Sequence, residues 1–120
     1  MIPKPKKCGL ALGLESYGIL DSQISASSDY NSAHRAANGR LNFRAGSGRT
    51  GAWSAKTNDA HQWLQVDFRK VARIDKVATQ GRQDHKQWVT SYRLAYSQDG
   101  MFWKELPVST LMTKFRPQLL

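Results

Sequence analysis

Trp63-Leu64-Gln65-Val66-Asp67-Phe68 decides the fold class. Successive side chains of an extended strand point to opposite sides, so Leu64, Val66 and Phe68 share one face and Gln65 and Asp67 the other. That period of two predicts a half-buried strand. Downstream, residues 74–80 are rich in β-branched side chains and predict a second strand. Residues 89–97 predict a third, with Tyr92, Leu94 and Tyr96 on one side and Ser91, Arg93 and Ala95 on the other. Gln98-Asp99-Gly100 is a hairpin turn, because Asp-Gly readily supplies positive φ, and residues 102–106 form the returning strand.

Upstream of Trp63 the chain offers little helix. Gly9, Gly13 and Gly18 interrupt the first segment. Ser22-Gln23-Ile24-Ser25-Ala26-Ser27-Ser28 reads as a loop or an edge segment, and residues 33–37 allow one helical turn at most. Asn38-Gly39 is a turn signal, and residues 45–51 form a second loop with three glycines. Short strands between turn clusters predict an all-β sandwich or barrel. Beyond Pro107 the pattern fades, and residues 112–120 have no clear period.

The 120 residues suffice for one domain, and 40% hydrophobic content is ordinary for a globular chain. No apolar run approaches a membrane span. Eighteen Lys+Arg against nine Asp+Glu give a net charge of +9, which favours anionic partners such as nucleic acid, sulfated glycans or acidic lipid. Cys8 is the single cysteine, so no intrachain disulfide forms. Residues 1–7 are basic and proline-containing, with no apolar stretch behind them, so they do not read as a signal peptide.

The residue types do not spell out catalysis. Gly46-Ser47-Gly48-Arg49-Thr50-Gly51 fits G-x-G-x-x-G, but a dinucleotide site needs a helix behind that motif, and Ala52-Trp53-Ser54-Ala55-Lys56 has no helical pattern. His34, His61 and His85 are dispersed, which argues against a metal site. Asp67 and Asp75 have no nearby nucleophile candidate. No cofactor is expected. Lys4, Lys6 and Lys7 could attract nucleic acid, and basic residues among aromatics could stack on bases; core-facing aromatic positions argue against that partner. Trp53, Trp63, Trp88 and Trp103 are expected in the core rather than at a ligand. Three polar loops, residues 28–38, 45–50 and 82–87, make a better site. If they meet at one end, they form a basic rim.

Asp21-Ser22-Gln23-Ile24-Ser25-Ala26-Ser27-Ser28, Arg40-Leu41-Asn42, Ala52-Trp53-Ser54-Ala55-Lys56, Trp63-Leu64-Gln65-Val66-Asp67, Ala78-Thr79-Gln80-Gly81-Arg82, Trp88-Val89-Thr90-Ser91-Tyr92 and Tyr96-Ser97-Gln98-Asp99-Gly100 occur in that order. Together they closely resemble the discoidin domain, also called the coagulation factor V/VIII type C domain. The resemblance covers residues 8–106, with 1–7 a basic extension and 107–120 a divergent tail. It implies an eight-stranded, galactose-binding-like jelly-roll sandwich with loop spikes at one end. It also implies an extracellular, non-enzymatic module for adhesion or cell-surface recognition, with its export signal outside this stretch. Such domains bind phosphatidylserine membranes, collagen, growth factors or glycans.

The spikes map to the region around Tyr30 and to residues 44–51 and 82–87. Membrane-binding members insert bulky apolar residues there. Here the first spike carries Asp29-Tyr30-Asn31-Ser32-Ala33-His34 and the third Asp84-His85-Lys86-Gln87, so a glycan or protein ligand is expected ahead of anionic phospholipid. Tyr30 matches a ligand-contacting tyrosine of some relatives and is expected to offer a stacking face. Arg49, Arg82 and Lys86 are expected to attract anionic groups, Asp84 or Gln87 to hydrogen-bond a polar ligand, and Arg35 and Arg44 to act secondarily.

The resemblance also implies that Cys8 pairs with a later cysteine and that further strands follow residue 106; neither is present here. A sandwich without its last strands exposes edges, and loss of such a bridge typically costs about 2–5 kcal/mol. A thermal melt of residues 1–120 is therefore expected to be broad and non-cooperative by circular dichroism, whereas a sharp transition would show that the 120 residues fold alone.

Overall fold

A computed structural model describes residues 10–106. The expectations for residues 1–7, for Cys8 and for 107–120 lie outside the described residues.

Ile24 is pulled out of water opposite the alternating face of the Trp63 segment. Strand β1 is Ile24–Ala26 and strand β2 is Leu64–Val66. They pair antiparallel, with Ile24 against Val66, Ser25 against Gln65 and Ala26 against Leu64. Backbone bonds extend the pairing at both ends, from Asp67 N–H to Gln23 O (2.8 Å) and from Ser27 N–H to Trp63 O (3.0 Å). The Ser-rich segment read as loop or edge thus supplies a strand. Its alternating Ile24 and Ala26 face the core, and its serines face outward.

The core is small and assembled from one side. Ile19, Ile24 and Ala36 are buried, and Leu14, Ala26, Trp53, Leu64, Val66 and Phe68 pack against them. Ala37 and Ala52 are also buried. Three short 3-10 turns, Asp21–Gln23, Ser32–His34 and Ala36–Gly39, carry the chain around this cluster. Small residues at Ala36 and Ala37 let the last of these turns lie close to β1.

Two polar residues are buried beside these alanines. Asn38 is 1% exposed and Arg40 4%. The Arg40 guanidinium donates from Nη1 to Leu14 O (2.9 Å) and from Nη2 to the Asp21 carboxylate. It also lies over the Tyr17 ring, 4.1 Å from the centroid. The turn that brings Tyr17 there is closed by Ile19 N–H donating to Gly13 O (3.1 Å). Gly13 holds φ 116°, and a Cβ there would stand 3.0 Å from the Gly18 backbone, so the turn needs glycine.

The second half of the chain is more open. Strands β3, Ala95–Tyr96, and β4, Lys104–Glu105, pair antiparallel around the Asp99-Gly100 turn. Gly100 has φ 74°, and the Asp99 carboxylate accepts from the N–H groups of Met101 (2.8 Å) and Phe102 (3.0 Å). The hairpin is therefore where the sequence puts it, with shorter strands.

Residues 74–80 form no strand: β-branched composition favours extension, but a ladder needs a partner, and among the described residues none donates and accepts along them. The strand expected over 89–97 shrinks to Ala95–Tyr96 for the same reason, and Tyr96 is exposed beside half-buried Tyr92 and Leu94. Among the described residues there are four strands in two pairs, all β and no α-helix. The tryptophans correct an expectation. Trp53 packs on the core, but Trp63, Trp88 and Trp103 are 49%, 56% and 46% exposed, since no described element covers them.

Replacing Arg40 by leucine removes the anchor of the 13–18 turn and strands the Leu14 carbonyl. Breaking a buried ion pair from one side costs about 3–5 kcal/mol. Asp21 is half exposed, which places the expected loss near about 3 kcal/mol, read as a lowered urea midpoint or, if stability is small, as loss of amide dispersion in NMR spectra.

Candidate functional site

The three polar loops meet. Asn31 caps the 3-10 turn Ser32–His34, its side-chain oxygen accepting from Ala33 N–H (2.9 Å). The turn presents Ala33 O to the second loop, where it accepts from Thr50 N–H (2.8 Å) and from Thr50 Oγ1 (3.0 Å). Buried Asn38 completes the joint, donating from Nδ2 to Ala33 O (2.8 Å) and to Thr50 O (3.2 Å). Tyr30 N–H donates to Ser54 O (2.7 Å), and Ser54 N–H to His34 O (3.2 Å).

The second loop is tied to the third as firmly. Gly51 N–H donates to Asp84 Oδ1 (3.0 Å), Gln83 N–H to Gly51 O (3.4 Å), and Ala45 N–H to Gln83 Oε1 (2.9 Å). At its tip the second loop is a tight hairpin in which Gly46 and Arg49 exchange backbone bonds (3.1 and 3.2 Å). Gly48 sits at φ 69° in its third position, the requirement of a type II turn.

The sequence-derived candidates divide into two groups. Arg82, Asp84 and Gln87 are spent on one another. Arg82 donates from Nε to Asp84 Oδ1 (2.8 Å) and from Nη1 to Gln87 Oε1 (2.8 Å), and its N–H donates to Gln87 O (3.0 Å). The Arg82 side chain is only 15% exposed. Hydrogen bonding by Arg82 and by Gly51 N–H holds the Asp84 carboxyl down at about 2, although partial burial pushes the other way. This trio shapes the third loop.

The other group faces solvent. Tyr30 is 61% exposed. Arg44, Arg49 and Lys86 are exposed and make no ion pair among the described residues. Arg49 lies over the Phe43 ring, 4.9 Å from its centroid, which restrains its stem and leaves its charge free. Arg35 is exposed, but Asp21 engages it at 3.3 Å.

Two residues matter here that sequence reading set aside. Asn38, read as half of a turn signal, is the buried joint of the first two loops. No local signal in the sequence marked it. His34, read only as one of three dispersed histidines, stands edge-on to Tyr30 (centroids 5.1 Å, 77°) and is half-buried. Its Nδ1 contacts Asn31 Oδ1 at 2.7 Å; that oxygen also accepts from Ala33 N–H, so Nδ1 carries the proton. Burial lowers the His34 pKa, nearby Arg82 lowers it further, and Asp84 partly opposes both. The ring stands against Tyr30. Among the described residues no His, Cys, Asp and Glu cluster is placed to hold a metal ion.

With this geometry in view, known proteins supply a parallel. The family described as F5/8 type C domain matches over residues 23–117. Lactadherin of Rattus norvegicus is 41% identical over 101 residues, which is 80% of this chain and 24% of lactadherin. Lactadherin of Sus scrofa is 39% identical over 103 residues, 82% of this chain and 25% of that protein. Coagulation factor V of Mus musculus is 41% identical over 106 residues, 81% of this chain and 5% of factor V. The chain thus spans a quarter or less of these relatives.

Because the Asp84 pKa is depressed in the fold, its contribution is fully present above the ordinary carboxylate value and is lost as pH falls toward about 2. The Gly51 amide is expected to stay protected from hydrogen exchange at pH 5 and to lose protection as pH falls below about 4, where the unfolded carboxyl begins to protonate. Asp84→Asn is expected to show the low-pH exchange rate already at pH 5.

Proposed function

The chain belongs to the F5/8 type C (discoidin) domain family of β-sandwich binding modules, and from that premise we propose that it is an extracellular recognition and adhesion module. Its ligand is an anionic glycan or protein of the cell surface or matrix. One observation carries the reading: residues 28–38, 44–51 and 82–87 are hydrogen-bonded into one rim, and that rim exposes Tyr30 with the free cations of Arg44, Arg49 and Lys86. A rim already locked by internal bonds loses little conformational entropy on binding. Tyr30 offers a flat face to a sugar or side chain, and His34 beneath restrains its ring. The cations raise the local concentration of anions and give specificity through charge. In this reading Arg82, Asp84 and Gln87 position the third loop, while Tyr30, Arg49 and Lys86 touch the ligand.

The exposed cations also favour a second reading, attachment to anionic phospholipid. Tyr30 is the one large apolar group at the tip of the first loop, so insertion into a bilayer would be shallow and attraction would rest on charge. Attraction between exposed charges fades as the Debye length shrinks to about 8 Å at physiological salt.

Co-sedimentation with phosphatidylserine and phosphatidylcholine vesicles, beside capture on an immobilised sulfated polysaccharide, separates the two. The expected result is weak phosphatidylserine binding that disappears at physiological salt, and polysaccharide binding that persists. Tyr30→Ala is expected to weaken the latter at least tenfold, about 1.4 kcal/mol. Selective phosphatidylserine binding that survives salt would install the lipid reading in its place.

A further inference from the structure

The β1–β2 ladder has two ends. Residues 27–30 lead from one into the rim, while Gln23 and Asp67 mark the other. At that far end lies a half-open recess of about 300 Å³. Leu12, Ile19, Phe68 and Ala72 line it on the apolar side and Gln23, Arg69 and Lys70 on the polar side, so apolar and polar surface share it about equally. No carboxylate lines it, and neither cation forms an ion pair among the described residues.

Arg69 is held in place. Its backbone sits at φ 57°, a region that L side chains rarely adopt, and its N–H donates to Asp67 Oδ1 (2.8 Å). One guanidinium nitrogen donates to Ser22 Oγ (2.9 Å), which leaves other N–H groups for a ligand. A fixed guanidinium beside apolar walls suits an oxyanion head carrying a hydrocarbon chain. A volume of about 300 Å³ is at the lower limit of small-molecule sites, which suits one alkyl chain.

We propose that this recess binds a single-chain amphipathic anion, an alkyl carboxylate or alkyl phosphate. Its head meets Arg69 and Lys70, and its chain lies against Leu12, Ile19 and Phe68. The site is separate from the rim and independent of the rim's ligand.

The test is an amide-shift NMR titration of the 120-residue chain with decanoate, hexanoate, decyl phosphate, decan-1-ol and acetate, below micelle concentrations. Saturable shifts are expected at Leu12, Ile19 and residues 68–72 with decanoate or decyl phosphate, and the relative affinity of these two identifies the head. Each pair of methylenes buried should tighten binding by up to roughly tenfold, so hexanoate binds more weakly. Decan-1-ol should bind at least tenfold more weakly than decanoate, and acetate should leave the recess unshifted. Arg69→Gly is the decisive variant: glycine accepts φ 57° without strain, so the fold is kept while binding falls at least tenfold. Tyr30→Ala should leave this binding unchanged. Equal binding of decan-1-ol and decanoate, equal binding of acetate, an unaffected Arg69→Gly, or no saturable shift in a sample whose amide resonances are dispersed would each overturn the proposal.

Discussion

The Arg40 guanidinium is buried where a small core would ordinarily place a methyl group, and much of the first half of the chain is arranged to satisfy it. Leu14 turns a carbonyl toward it, Asp21 a carboxylate, and Tyr17 a ring face. An isolated buried cation would be costly, so these partners must arrive together. Their arrival fixes the 13–18 turn against the first 3-10 turn, and β1 begins immediately after it. Tyr17 takes φ 64° to reach the guanidinium, a local cost that the stacking and the buried pair offset. Arg40 Nε remains buried without a hydrogen-bond partner among the described residues.

Polar joints recur throughout the fold because its apolar core is small. Asn42 and Gln80 bond to each other through their side chains (2.9 Å), and Asn42 also reaches Glu15 (3.1 Å). The Trp53 indole donates to Ser28 O (2.9 Å). Each joint connects segments distant in sequence, and each uses a directional bond where a larger core would use dispersion. Directional bonds tolerate little displacement, so the loops that they hold are presented in one arrangement. A recognition surface built this way has its shape before any ligand arrives.

The two ends of the β1–β2 ladder differ in chemistry. The rim is polar and exposes Tyr30, and its exposed Arg44, Arg49 and Lys86 make no ion pair among the described residues. The far recess sets Leu12, Ile19 and Phe68 beside Gln23, Arg69 and Lys70. Both ends carry exposed cations, which agrees with a net charge of +9.

Much of this was legible in the chain. The alternation of Leu64, Val66 and Phe68 made β2 and its buried face predictable, because a strand has only two faces. Asp99-Gly100 located the hairpin, because few residues adopt its turn geometry. The ordered blocks from Asp21 to Gly100 identified the family. Other features depended on pairing across the fold. Ser25 and its neighbours become a strand only because β2 lies beside them, whereas residues 74–80 find no backbone ladder among the described residues. That Tyr30, Arg49 and Lys86 would be exposed could be expected from loop composition and charge. That Arg82, Asp84 and Gln87 would satisfy one another, that Asn38 would turn inward, and that Trp63, Trp88 and Trp103 would stay half-exposed could not. Periodicity and turn chemistry are properties of a few adjacent residues, and the sequence alone determines them. Partnership and burial belong to residues tens of positions apart, and only the tertiary structure brings those within bonding distance.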